Sequence, residues 1–415
     1  LRRGFLFSTA PAEKETWLYR LICSIMIGIN FFDDALHGDL YPLTLTRPAA
    51  DLRTGILSIA EKWSRLLGAG AVSYETVPHL SALFTHTEHA SWSINGRLLP
   101  DAALLQSMSK MQAGDALFHA DGTLLLRKSG EPQTQHTHEH PVVMIRRPQD
   151  LFLYNAEQIK ADFAWITQGR ESAPLDPGNK VIGSYPVFLE PGAKASCSIF
   201  NTTEGPVYLD ADSEVMEGCL IRGPFSLGAH SQLKMGTRIY TGTSIGPHCK
   251  IGGEINNSVV LGYSNKAHEG FLGNSVIGTW CNLGADSNNS NLKNNYDEVK
   301  LWHYGSKRFE KTGLQFCGLI MGDHSKCGIN TMFNTGTVVG VACNVFGAGF
   351  PRNFIPDFAW GGASGFVTHK PDQALATVRR VFERRKKDLS QAEEQMLRSV
   401  FERTRELRYW EDAEA

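Results

Sequence analysis

The sequence predicts two folded units in succession, an α/β domain and a parallel β-helix, closed by a helical hairpin. Three observations carry this. From Leu209 to Ile251 an aliphatic residue stands at every sixth position: Leu209, Val215, Ile221, Leu227, Leu233, Ile239, Ile245 and Ile251. Before that run, short apolar strand-like segments alternate with amphipathic helical ones. After Pro371 the apolar residues change to helical spacing. Helices repeat near 3.6 residues and strands near 2, so a sustained six is neither. It is the period of a solenoid in which each hexad makes one side of a coil and its aliphatic residue points inward. The chain's 40 glycines suit the tight corners of such coils.

In chain order, Ile27 to Phe32 reads as a strand ending in Asp33-Asp34. Residues 54–67 have helical periodicity, 91–99 read as a strand, and a helix follows from Asp101. Residues 116–127 suggest a hairpin turning at Asp121-Gly122. Residues 150–166 again read as helix, and 172–179, with Pro174, Pro177 and Gly178, form a linker. The solenoid period then continues past Ile251 after two slips. Val259, Phe271, Ile277 and Leu283 define a second grid with Asn265 at one node. Met321, Cys327, Phe333, Val339 and Val345 define a third. Each slip marks an insertion, the first after Gly252-Gly253-Glu254 and the second over roughly 286–316, with an Asn-rich run at 286–297. Insertions on solenoids commonly carry binding groups, because the coils are committed to packing. Beyond Pro371, Leu375, Val378 and Phe382 mark one helix, and Met396, Leu397 and Val400 another. Ser390-x-x-Glu393 has the form of a capping box between them. The basic cluster from Arg379 to Lys387 reads as a solvated face.

The expected domains are therefore 26–175, 180–368 and 371–411. Residues 1–25 read either as a non-native extension or as a genuine one. Their apolar run is broken by Arg20, is too short to span a bilayer and has no convincing signal cleavage site. A formal net charge of -2 gives no electrostatic reason to bind nucleic acid or an anionic membrane. The eight cysteines are scattered with no Cys-x-x-Cys pair, which speaks against a zinc knuckle or a disulfide framework and for a reducing cytoplasm. His136, His138 and His140 alternate as a metal tract would, but read as a polar loop.

Residues 264–285, Ser-Asn-Lys-Ala-His-Glu-Gly-Phe-Leu-Gly-Asn-Ser-Val-Ile-Gly-Thr-Trp-Cys-Asn-Leu-Gly-Ala, resemble the active-site coil of GlmU-type enzymes. Those are bifunctional glucosamine-1-phosphate N-acetyltransferases and N-acetylglucosamine-1-phosphate uridyltransferases. The spacing from His268 to Asn282 and Ala285 is that of the family, and Asn295-Tyr296-Asp297 is similar to its following Asn-Tyr-Asp. Phe271 stands where the family has Tyr. Upstream, Pro42 to Gly55, Ile94 to Pro100 and Tyr154-Asn155 resemble a shorter branch of that family whose N-terminal half is a sugar nucleotidyltransferase. The resemblance implies a reduced Rossmann-like domain, a left-handed β-helix and a homotrimer. It implies acetyl-CoA as co-substrate, with a sugar phosphate and a nucleotide or nucleotide sugar such as a UDP-sugar as further ligands.

Acetyl transfer to an amine needs a base, and an imidazole suits that task at neutral pH. The resemblance makes His268 the base; a carboxylate, Glu254 or Glu269, would orient it, with Glu254 preferred because Glu269 directly follows the histidine. It gives Arg238 and Lys266 to the sugar phosphate, Asn282, Asn295 and Tyr296 to the sugar, and Ala285 and Gly347 to coenzyme A. In the N-terminal half the family's Gly-rich phosphate loop is missing, and Arg97 stands where a metal-binding Asp is expected. Arg47, Arg53 and Arg97 are then the candidate phosphate ligands, with Asn155 a candidate at a Mg²⁺ site. Two alternatives stay open: a sugar-1-phosphate nucleotidyltransferase with a structural β-helix, and a noncatalytic trimeric scaffold. A γ-type carbonic anhydrase on the same scaffold needs a close His pair, and His230, His248 and His268 look too far apart in sequence to supply one.

Overall fold

The computed structural model describes residues 27–411 apart from His89, so the expected extension at 1–25 lies outside the described residues. The first domain is built on a six-stranded sheet ordered β2-β1-β3-β5-β4-β6. Its strands are β1 Ile27–Phe32, β2 Ala69–Glu75, β3 Trp92–Asn95, β4 Ala116–His119, β5 Leu124–Lys128 and β6 Gln135–His138. Strands β2 and β3 run parallel to β1 on either side. The expected hairpin is β4–β5. Strand β2 is not legible as an alternating pattern, and the His136 tract is an edge strand rather than a loop, parallel to β4. Helix α1, Ile59–Leu67, starts later than its periodicity suggests. Ser58 and Glu61 form a capping box there, and Arg53 pairs with Ser58 across the preceding turn. Helix α2, Ala102–Lys110, is capped by Asp101, whose side chain accepts from the Leu104 N–H. The helix read at 150–166 is two pieces, α3 Asp150–Leu153 and α4 Asn155–Thr167.

From Lys180 onward the chain winds as a left-handed parallel β-helix with three faces. The first face holds six strands from Lys180–Ile182 to Phe271–Gly273 and is extended by the pair Asn288–Asn289 and Met332–Phe333. The second holds nine, from Val187–Leu189 to Phe354–Ile355, and the third ten, from Lys194–Ala195 to Gly365–Thr368. All eight aliphatics of the first hexad run lie inside, none more than 2% exposed. The third grid is also interior, from Met321 to Val345. Each such side chain contributes about 1.5–3 kcal/mol on burial, and stacking in register makes the solenoid its own core.

The second grid is off by one over its first three nodes, while Ile277 and Leu283 lie inside as expected. Val260, Lys266 and Leu272 point inward, while Phe271 joins the outward column Arg238, Glu254, Phe271. The cause is a shortened coil: Ile245 pairs with Val260, one residue beyond the expected node. A reader of hydropathy also prefers Phe to Lys at an interior node, and here the lysine takes it.

At the corner between the second and third faces, one residue per coil has left-handed backbone: His230, His248, Tyr263, Trp280 and His324, with φ of 52–61°. Their rings stack, His230 on His248 at 4.8 Å, His248 on Tyr263 at 4.6 Å and Tyr263 on Trp280 at 4.2 Å. Ring stacking offsets a backbone conformation that costs about 1–2 kcal/mol per non-glycine residue. The hairpin of α5 Pro371–Arg384 and α6 Gln391–Arg403 covers this corner. Phe382 lies 4.3 Å from the Trp280 ring and Lys387 stands over Tyr263. Arg385 donates to the His248 carbonyl at 3.2 Å, so part of the basic cluster docks on the solenoid instead of facing water. Ser390 and Glu393 form the expected capping box.

The α/β domain packs on the second face. Phe163 of α4 meets Phe188 and Tyr208 edge-on at 6.3 and 6.5 Å. The second insertion carries an antiparallel hairpin, Lys300–His303 with Arg308–Lys311, that its sequence did not announce. No helix among the described residues is long and apolar enough to cross a membrane.

Candidate active site

Strand register assembles the acetyl-transfer candidates at the corner between the third and first faces. Asn265 pairs with Asn282, Leu283 with Cys327 and Lys326 with Asn344. Carried three or so residues forward, these pairings stack His268, Ala285, Ile329 and Gly347 on successive coils of one corner. The Asp286 N–H donates to the Glu269 carbonyl and the Asn330 N–H to the Ala285 carbonyl, each step one coil up. His268 is exposed, and no hydrogen bond engages its ring among the described residues. A Cβ at Gly347, three coils beyond the histidine, would meet nothing within 4 Å, so that position of the corner is open.

Lys266 holds this corner from beneath. It is 2% exposed, and its Nζ donates to the carbonyls of Gly252 at 3.2 Å, His268 at 2.8 Å and Glu269 at 3.2 Å. Burial pushes the ammonium down to about 8. A lysine directed into the coil and bonded to three carbonyls cannot also face a phosphate, which corrects its expected role. Gly252 lets the next coil approach: a Cβ there would meet the Ala267 carbonyl oxygen at 2.3 Å.

Arg238 stands beside the histidine loop, outward on the first face. Its guanidinium donates to Glu269 at 2.8 Å and lies 3.7 Å from Glu254. Glu254 therefore partners Arg238, not His268, in the single chain, a second correction. Asn282 is exposed on the third face. Asn295 and Tyr296 sit on the insertion that leaves the far edge of the first face, where Asn295 bonds Asp297 and Tyr296 is 66% exposed. One chain does not bring them to His268. Sequence reading missed Asn289, whose amide is 4% exposed and bridges the N–H and carbonyl of Gly273, fixing the coil above Glu254.

The N-terminal candidates are elsewhere and otherwise engaged. In open α/β sheets, ligands enter at the carboxyl ends of parallel strands where the order reverses, here beyond β1 and β3. That crevice is filled by the chain's own segment 37–52. Asp33 accepts from the Ala49 N–H at 3.0 Å, and a Cβ on Gly96 would come within 3.1 Å of the Ala50 nitrogen. Arg97 is 1% exposed and bonds Asp34 and the Ile145 carbonyl. Arg47 is buried and pairs with Asp323 of the solenoid, with Thr279 at 2.7 Å and Asp51 at 3.2 Å. Arg53 bonds the Ile56 carbonyl and Glu61. Asn155 is fully buried, accepting from the Gly55 N–H at 2.6 Å and donating to the Gly242 carbonyl at 2.7 Å. All four tie the protein together, and none presents a free group to a phosphate.

Nor do the residues present suit Mg²⁺. Asp33 and Asp34, the carboxylates at the end of β1, are saturated by protein donors. Among the described residues no group of three His, Cys, Asp or Glu is placed to hold a metal. A close histidine pair does exist, contrary to the sequence expectation: one coil separates His230 from His248 and their rings stack. Their stacked planes, at 17°, do not converge on a shared ion.

Residues 29–171 match the sugar nucleotidyl transferase family. The Methanocaldococcus jannaschii bifunctional protein GlmU is 34% identical over 90 residues, 22% of this chain and 21% of that one. The Corynebacterium diphtheriae bifunctional protein GlmU is 25% identical over 269 residues, 58% of this chain and 50% of that one. Over these stretches the chain is similar to GlmU proteins. A bifunctional sugar-1-phosphate nucleotidylyltransferase/acetyltransferase of Sulfurisphaera tokodaii is 29% identical over 149 residues, 34% of this chain and 36% of that one. The chain thus spans half or less of the length of each of these relatives.

Proposed function

We propose that the β-helix transfers an acetyl group from acetyl-CoA to the amine of an amino-sugar phosphate, in a cytoplasmic homotrimer. The observation that carries this reading is the corner column, with an exposed, unengaged imidazole at His268 below Ala285 and the open position at Gly347. Acetyl-CoA supplies the thioester. The amine attacks the thioester carbonyl; as the C–N bond forms and the C–S bond breaks, a free ring nitrogen of His268 takes the amine proton and returns it to the departing coenzyme A thiolate, which leaves as the thiol. The Lys266 bonds hold the backbone of 268–269 so that the ring stays at the corner. Arg238, anchored by Glu269, offers a cation to the sugar phosphate on the same face.

A neighbouring copy completes the site, because one chain supplies neither a partner for the imidazole nor a second wall for the groove. Ile199, Leu220 and Tyr240 project from the first face as an apolar surface for that copy. The described cysteines are free thiols, in keeping with a reducing compartment.

Nucleotidyl transfer by the α/β domain is the second reading, favoured by the family match over 29–171. It requires segment 37–52 to leave the crevice it fills. A substrate panel with separate acetyl-CoA and pyrophosphate readouts separates the two. In an intact trimer, His268→Ala should lower acetyl transfer by about 10²–10⁴-fold. Wild-type acetylation by that variant would sink the first reading. Rapid pyrophosphate release from a nucleoside triphosphate and a sugar 1-phosphate would establish the second.

A further inference from the structure

A groove of about 720 Å³ lies at the remaining corner of the solenoid, between the first and second faces. It is closed by the hairpin of the second insertion and by the C-terminal residues after α6. Four cations line it, Lys293, Lys300, Lys307 and Arg352, against one carboxylate, Glu406. Glu406 pairs with Lys307 at 2.7 Å. Lys293 is spent on the Glu298 carbonyl, also at 2.7 Å. Lys300 and Arg352 have no ion-pair partner among the described residues. In a chain whose net charge is -2, this is a local reversal of sign.

The groove also has aromatic walls. Phe309 and Tyr409 are each 42% exposed, and the Arg352 guanidinium lies over the Tyr409 ring at 4.8 Å. Trp302, stacked on Phe354 at 4.2 Å, lines the groove, and its buried indole N–H has no acceptor among the described residues. Cations beside accessible planar rings fit a ligand with clustered negative charge at one end and a flat, partly apolar body at the other. The volume falls in the range of small-molecule sites, roughly 300–1,000 Å³. The N-terminal crevice lacks every one of these features, since its arginines are paired and its space is filled.

We propose that this groove is a nucleoside diphosphate site, separate from the acetyl-transfer corner. Lys300 and Arg352 hold the phosphates, and the base lies against Phe309 or Tyr409. The inference does not depend on acetyl transfer.

The test is calorimetric titration of the full-length protein with UDP, ADP and inorganic pyrophosphate, at low and high salt. Either nucleotide should bind at least about tenfold more tightly than pyrophosphate, and binding should weaken as salt rises. Lys300→Gln and Arg352→Gln, both at exposed positions, should each weaken nucleotide binding about tenfold, the loss expected for one charge-assisted contact. Phe309→Ala should weaken nucleotide binding and leave pyrophosphate unchanged. Unaltered affinity in the charge variants, pyrophosphate binding as tightly as the nucleotides, or no heat at millimolar ligand would each overturn the proposal. A parallel acetyl-CoA saturation curve guards the claim of separateness. Its KM should not move in Arg352→Gln; a tenfold rise would make the groove part of the acetyl-CoA site and overturn a separate one.

Discussion

Removing the Arg47 guanidinium should weaken the fold and leave ligand binding alone. Arg47 reaches from segment 37–52 of the first domain to Asp323 of the solenoid, and both side chains are nearly inaccessible, at 9% and 3%. Breaking a buried ion pair by deleting one partner costs about 3–5 kcal/mol, because the other charge stays buried. Asp323 keeps three donors at 2.8 Å, from the hydroxyls of Thr46 and Thr279 and the Thr279 N–H. The cost should therefore fall at the lower end, about 3 kcal/mol. The contact with the more exposed Asp51 adds little. Urea unfolding of Arg47→Leu, Asp323→Asn and the double variant measures this, with a coupling of about 1–3 kcal/mol expected. The pH dependence has a defined sign. Burial raises the Asp323 carboxyl, but Arg47 and the neighbouring donors outweigh it and hold the group below 3.8. Its stabilising contribution is complete above that value and is lost as pH falls through the lower folded one. In Arg47→Leu the loss should begin at higher pH. Unchanged unfolding together with markedly weaker nucleotide binding would refute the argument and return Arg47 to the role of phosphate ligand.

Three further outcomes are expected. Lys266→Met should leave the oligomeric state unchanged but lower the proposed acetyl transfer by about tenfold to a hundredfold, because the loop bearing His268 loses three bonds that position it. In the native protein the buried ammonium, at about 8 against a lysine's ordinary 10.5, makes stability rise with pH across that interval, and the methionine variant should lack the rise in unfolding measurements. Asp357, pushed up to about 6 chiefly by burial, disfavours the fold as pH rises from 3.8 toward 6. Asp357→Asn should therefore gain about 1–3 kcal/mol over wild type at pH 7 and nothing at acid pH, by denaturant titration at each pH. Gly252→Ala should disrupt the His268 corner, where its Cβ would meet a carbonyl oxygen at 2.3 Å, and activity should fall further than the content of β-structure seen by circular dichroism.

The solenoid was legible because its signal is local and repeated. An interior position excludes water, so an aliphatic must recur there, and eight recurrences fix the phase from Leu209 to Ile251. The capping box at Ser390 and Glu393 was legible for a similar reason: two side chains satisfy orphan N–H groups within one turn. Phase was lost where a coil is short. There the interior node went to Lys266, whose charge is tolerated only because three carbonyls converge on it.

Charged and polar residues were the least legible, because their sequence neighbours do not reveal their partners. Arg47 reads as a phosphate ligand until Asp323, far along the chain, is placed beside it. His230 and His248 read as distant until the coil length brings their rings together. The sequence by itself determined the solenoid architecture, set by hydropathy and spacing along the chain, and its likeness to a family coil singled out His268 as a candidate. Only the tertiary structure decided which cations are free. An arginine in water and one desolvated against a carboxylate are the same letter, and the difference lies in contacts that chain folding alone creates.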